Sequence, residues 1–132
     1  MTETSKDIQR PLSPHLQVYR LPLQALMSIS HRASGAILFL GTILVTAWLV
    51  AAAMGEESYN TMMSVVSHPV GTVALFGWSA ALFYHMCNGI RHMFWDMGFL
   101  FKQQNATRSS VIVLIAATIL TASVWLCAYN YF

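Results

Sequence analysis

Of the five histidines in the chain, only His85 lies well inside an uncharged apolar stretch. An ionisable group at that depth is costly unless it is buried against a partner or put to use. Six residues separate His85 from Arg91, so in a helix the imidazole sits about 9 Å below the nearest charge. Neutral imidazole is a common axial ligand of haem iron, and helical bundles build haem sites from histidines on facing helices. Ala81 and Gly89, four residues to either side, are small enough to leave a slot for a flat macrocycle. A plainer arrangement uses the same residues: His85 hydrogen-bonds across helices while Ala81 and Gly89 permit close packing.

Two further groups sit toward the charged side of the apolar stretches. Ser28, His31 and Arg32 are spaced by three and four residues and so project from one side of a helix. A hydroxyl, a guanidinium and an imidazole there could hold a carbonyl-bearing ring or a propionate. The competing account is a helix start whose Arg32 snorkels to lipid phosphate. Arg91, His92, Trp95 and Asp96 crowd a second helix end, and His92, two turns from His85, could reach a macrocycle edge or propionate. Their plainer role is an interfacial belt that docks a soluble partner. Trp48, Trp78, Trp125, Met62 and Met63 read as packing or lipid-facing material.

The elements that must carry these residues are three apolar runs, roughly 33–54, 69–90 and 109–132, each free of Asp, Glu, Lys and Arg. Each is about 22 residues, the length a helix needs to cross a hydrocarbon core of roughly 30 Å. The expected fold is an all-α membrane protein with three transmembrane helices. A composition 56% apolar and 9% charged agrees, and a net charge of +2 located at membrane flanks argues against nucleic acid as a partner. Residues 1–22 read as a polar arm punctuated by Pro11, Pro14 and Pro22, and residues 23–132 as the membrane anchor. A helix beginning near Leu23 should run through Ser28 and Arg32 into the first span. The 54–68 connection should hold a short helix at its tip, with Pro69 opening the second span. Gly98 should end that span, and Gln103, Gln104, Asn105 and Thr107 should form a solvated turn. Cys87 and Cys127 lie in apolar spans without metal-type spacing and read as small hydrophobes.

All seven basic residues precede the first run or separate the second from the third, whereas the segment after the first run carries Glu56 and Glu57. The positive-inside rule therefore puts the N-terminus and the 91–108 connection in the cytoplasm and the C-terminus on the far side. The opening residues have neither the apolar core of a signal peptide nor the character of a transit peptide. A bacterial inner membrane is the expected address, ahead of the mitochondrial inner membrane. Three helices bury little against one another in lipid, so an obligate partner is expected.

Arg-Pro-Leu-Ser-Pro-His-Leu-Gln-Val-Tyr-Arg at 10–20, Ser-Ile-Ser-His-Arg-Ala-Ser-Gly at 28–35 and His-Met-Cys-Asn-Gly-Ile-Arg-His-Met-Phe-Trp-Asp at 85–96 closely resemble the signature segments of the succinate dehydrogenase cytochrome b family. Members are the larger of two membrane anchors of respiratory complex II. The resemblance implies that His85 is one axial ligand of haem b, the other coming from the small membrane-anchor subunit. It implies that Ser28 and Arg32 line the ubiquinone pocket, that His31 and Arg32 lie near the haem propionates, and that His92 is a second motif histidine. The implied partners are the flavoprotein subunit, which oxidises succinate, the iron-sulfur subunit, which relays electrons, and the small anchor. Two other classes compete. A haem-free structural anchor leaves His85 and the His31–Arg32 pair without a role, and a proton-coupled transporter lacks any intramembrane Asp or Glu. A cytochrome holding two haems in one chain would need more intramembrane histidines.

The charge asymmetry generates the first prediction. A reporter active only outside the cytoplasm, fused after Phe132, should be active, and the same reporter placed between Lys102 and Thr107 should be silent. The reverse pattern would overturn the orientation.

Overall fold

The structure, a computed structural model, describes residues 19–131. Residues 1–18 of the proline-punctuated arm, and with them most of the 10–20 motif, lie outside the described residues. Four helices follow in order: α1 (Leu23–Ala53), α2 (Glu56–Val66), α3 (Pro69–Asp96) and α4 (Gln103–Tyr131). Helices α1, α3 and α4 are each long and apolar enough to cross a membrane. They contain the three expected spans, apart from residues at the ends of the first and third.

Local sequence accounts for each boundary. Pro22 cannot continue a helix backward, and its carbonyl accepts the first backbone bonds of α1, from Ala25 at 3.0 Å and Leu26 at 3.2 Å. Gly55, at φ 107°, makes the sharp turn that α2 requires. Glu56 and Glu57 then occupy its first turn, where the helix dipole favours negative charge. The expected short helix thus fills nearly the whole connection. His68 caps α3 by accepting a hydrogen bond from the Val70 N–H, and Pro69 takes the first helical position. At the other end Gly98, at φ 88°, closes a Schellman motif: its N–H bonds to the Trp95 carbonyl at 2.9 Å, and the Phe99 N–H to the Phe94 carbonyl at 3.0 Å.

One expectation fails here. Gln103, Gln104, Asn105 and Thr107 are not a solvated turn but the opening of α4. Glutamine is a good helix former, and Thr107 satisfies its hydroxyl on the Gln103 carbonyl at 3.1 Å without leaving helical geometry. The Ala106 N–H reaches the Lys102 carbonyl at 3.0 Å, which extends the helix to the edge of the connection. That connection therefore spans only 97–102.

Helix α3 packs against both α1 and α4. Gln24 at the start of α1 donates to Thr107 near the start of α4 at 2.8 Å, and Arg91 near the end of α3 reaches Met27. These three helix ends therefore lie together, and Arg32, Arg91, Lys102 and Arg108 gather at that end of the bundle. At the opposite end Trp125 Nε1 donates to Ser79 Oγ at 2.9 Å and ties α4 to α3. The seams are small and polar. The buried residues are Met27, Val113 and Ala117 together with Ser34, Asn88, Arg91, Ser110 and Thr121. That composition is what lipid selects, because a surrounding as apolar as leucine gives no hydrophobic drive for helices to associate. Large apolar side chains such as Phe39, Leu40 and Ile43 instead point outward.

Close approach of α1 and α3 depends on Gly41, since a Cβ there would overlap the Trp78 indole ring. Overpacking of this kind typically costs about 1–3 kcal/mol. Gly41→Ala should therefore lower the thermal midpoint of the purified complex, and Trp78→Leu in the same chain should recover most of the loss. Independent, additive losses would show that the two residues do not share this contact.

Candidate functional site

The α1–α3 seam holds the sequence's most prominent histidine in a defined chemical state. His85 Nδ1 lies 3.2 Å from the His31 carbonyl and 3.1 Å from Ser34 Oγ. The Ser34 hydroxyl donates its single proton to that same carbonyl at 2.8 Å, so toward His85 it can only accept. A carbonyl can only accept as well. Both contacts therefore require a proton on Nδ1, which leaves Nε2 with its lone pair. The His85 ring is half-buried, and its hydrogen bonds all run through Nδ1. Gly35 makes room for this: a Cβ there would stand 3.1 Å from His85 Cε1.

His31 lies over the His85 ring, with centroids 4.1 Å apart and planes inclined by 20°. His92 follows at 5.1 Å from His31, and Trp95 meets His92 edge-on at 5.1 Å. Three histidines thus form a column climbing from mid-span toward the basic end. His31 Nε2 is buried without a hydrogen-bond partner among the described residues. Its nearest approach at Gly89 is 3.9 Å from where a Cβ would stand. The His31 ring therefore borders the space beside Gly89 without filling it.

Arg91 departs most from expectation. Instead of joining an exposed belt with Asp96, it is 3% exposed, and Asp96 faces outward. Its Nη1 donates to Asn88 Oδ1 at 2.8 Å and touches the Met27 sulfur at 3.5 Å, while the guanidinium carbon lies 4.1 Å above the Trp95 ring. Asn88, wholly buried, donates in turn to the Met27 carbonyl at 3.4 Å. Arg91 Nε and Nη2 find no acceptor among the described residues. The spacing carried a signal: Asn88 and Trp95 stand three and four residues from Arg91, on one side of the helix.

Ser28 and Arg32 stand apart from this network. Ser28 is half-buried, Arg32 is exposed, and neither takes part in the described side-chain hydrogen bonds. His31 turns into the seam while Arg32, one residue on, turns out of it. Sequence reasoning passed over three residues that the seam uses. Ser34 stands three residues after His31. Ser30 and Tyr84 pair their hydroxyls at 2.7 Å, and Tyr84 also donates to the Met27 carbonyl at 3.1 Å. Among the described residues no three His, Cys, Asp or Glu side chains converge on a common metal position. Of the three imidazoles only His85 has hydrogen bonds that fix which nitrogen keeps its lone pair, and one such nitrogen is the donor set of a single axial ligand. It fits a metallo-macrocycle ligated from two sides.

Three helices long and apolar enough to cross a membrane, two of them flanking a histidine-lined seam, define a membrane-embedded helical subunit. Residues 6–124 match the succinate dehydrogenase/fumarate reductase transmembrane subunit family, and the chain belongs to that family. It is 42% identical to the succinate dehydrogenase cytochrome b556 subunit of Paracoccus denitrificans, covering 93% of this chain and 94% of that one. The cytochrome b556 subunit of Rickettsia felis is 34% identical over 95% of this chain and 99% of its own length. The mitochondrial cytochrome b560 subunit of Sus scrofa is 39% identical over 80% of this chain and 64% of its own.

Proposed function

We propose that this chain is the cytochrome b membrane anchor of a succinate:ubiquinone oxidoreductase in a bacterial inner membrane. In this reading His85 ligates the iron of haem b through Nε2, and the second axial ligand comes from the small membrane-anchor subunit. The observation that carries the reading is the placement of His85 Nδ1 against the His31 carbonyl and Ser34, which calls for the proton on that nitrogen. Metal-bound histidines almost always donate their other ring N–H in this way, which fixes the ring and raises its basicity. The names of the relatives, cytochrome b556 and b560 subunits, point the same way. Haem b, when bound, supplies one-electron redox chemistry.

The remaining roles follow from position. His31 Nε2, buried and without a partner among the described residues, is available to a propionate in its protonated form, and His92 and Arg32 stand close enough in sequence to serve its edge or second carboxylate. Ser28 and Arg32, free of the seam's network, are available to a quinone carbonyl. A hydroxyl donor and a fixed cation one helical turn apart polarise that carbonyl and stabilise the negative charge that builds on its oxygen as electrons arrive. Succinate oxidation belongs to the flavoprotein subunit, and the iron-sulfur subunit delivers electrons to the basic end of the bundle. That end lies on the cytoplasmic side by the positive-inside rule.

His85→Leu should remove or severely perturb the haem α-band of the purified complex, and an unchanged spectrum with full haem content would defeat the ligand assignment. Quinone binding is tested separately. A hydrogen bond to a charged group is worth roughly 1.5–3 kcal/mol, or about ten- to a hundred-fold in rate when it tightens toward the transition state. Ser28→Ala and Arg32→Leu should depress succinate-to-quinone turnover by that order. Succinate oxidation by an artificial acceptor that takes electrons upstream should be spared. Equal loss of both activities in a fully assembled complex, or intact quinone turnover, would return these residues to lipid anchoring.

A further inference from the structure

On the side of α3 away from the histidines, α3 and α4 part at the basic end around a cavity of about 500 Å³. Phe94, on its wall, is nine residues from His85, which is two and a half helical turns and hence the opposite face. The wall is apolar, built by Cys87, Ile90, Phe94, Ile112, Val113 and Ala116. Ile90, Phe94 and Ile112 are themselves exposed, so the cavity opens on the outer surface of the bundle. Two cations bound it. Arg108 is exposed at its edge, and Arg91 forms part of its inner wall. Arg91 is 3% exposed, and its Nε and Nη2 have no acceptor among the described residues. Its charge is not compensated by any acidic side chain among the described residues near it.

We propose that this cavity binds one anionic phospholipid, with an acyl chain in the apolar groove and the phosphate at Arg108, backed by the charge of Arg91. An apolar groove and a basic rim together match an amphiphile with a negative head. Basic pockets between transmembrane helices on the positive-inside face are where acidic headgroups collect, because the attraction is strong in a partly desolvated site. The placement favours lipid over a partner subunit. A haem shared with the small anchor would hold that anchor on the His85 face, and the cavity looks the other way. The choice of lipid over a partner subunit rests on that reading of the haem, whereas the lipid-binding readout below uses neither haem nor quinone chemistry and can fail independently of it.

The test uses the whole complex reconstituted in phosphatidylcholine bilayers doped with spin-labelled phosphatidylglycerol or spin-labelled phosphatidylcholine. The readout is the motionally restricted, protein-bound fraction of each label, with the haem spectrum as a control for assembly. The wild-type complex should hold the glycerol lipid in preference to the choline lipid, with the preference shrinking as salt is raised. Arg108→Gln should cut the preference about five-fold, the effect of one juxtamembrane cation, and Arg108→Lys should largely keep it. Ala116→Phe, which fills the groove but leaves both arginines, should reduce binding of both labels at this site. The proposal is overturned by equal retention of both lipids in the wild-type complex, by an undiminished preference in Arg108→Gln, or by unchanged lipid binding in Ala116→Phe.

Discussion

A polar group in hydrocarbon has to find its partner inside the protein, because no water is present to serve it. The α1–α3 seam is organised around that constraint. Two backbone carbonyls of α1, those of Met27 and His31, receive Tyr84, Asn88 and His85 from α3. Side chains of one helix thus rest on the backbone of the other, and the register between them is set by these bonds more than by shape. Carbonyls of α1 also serve its own side chains, since Ser30 bonds back to Leu26 and Ser34 to His31.

Sharing backbone acceptors demands close helix approach, and close approach demands residues without bulk. Gly35 lets the His85 ring lie against α1, and Gly41 does the same for Trp78 two turns further along. The result for chemistry is that the imidazole is oriented and its tautomer chosen by the chain itself. An imidazole held in this way would lose little freedom on binding a metal, which is the physical content of second-layer support around metal-binding histidines.

Helix α3 has two working faces. One presents His85 and His92 to His31, and the other walls the apolar cavity shared with α4. Arg91 lies between them, its cation spread over the Trp95 face and one edge satisfied by Asn88. A charge buried this far is tolerable because guanidinium is weakly hydrated and stacks well on an aromatic ring. Two of its nitrogens have no acceptor among the described residues, which leaves a positive potential at the basic end of the bundle.

Periodicity and charge placement were sufficient for the three spans, the helix start near Leu23, the short helix after Gly55, the stop at Gly98 and the singling out of His85. These are legible because span length, proline and glycine chemistry and the expense of an intramembrane imidazole are local properties. The start of α4 was misread because polar residues that often form turns are also competent helix formers, and only the neighbouring helices decide between the two. The tertiary structure alone decided that Ser34 and the His31 carbonyl hold His85, that the His31 ring stacks on His85, and that Arg91 is buried while Arg32 is exposed. Each of these depends on how α1 is rotated about its axis against α3. A rotation of a fraction of a turn would exchange seam for surface, and no pattern within a single helix specifies it.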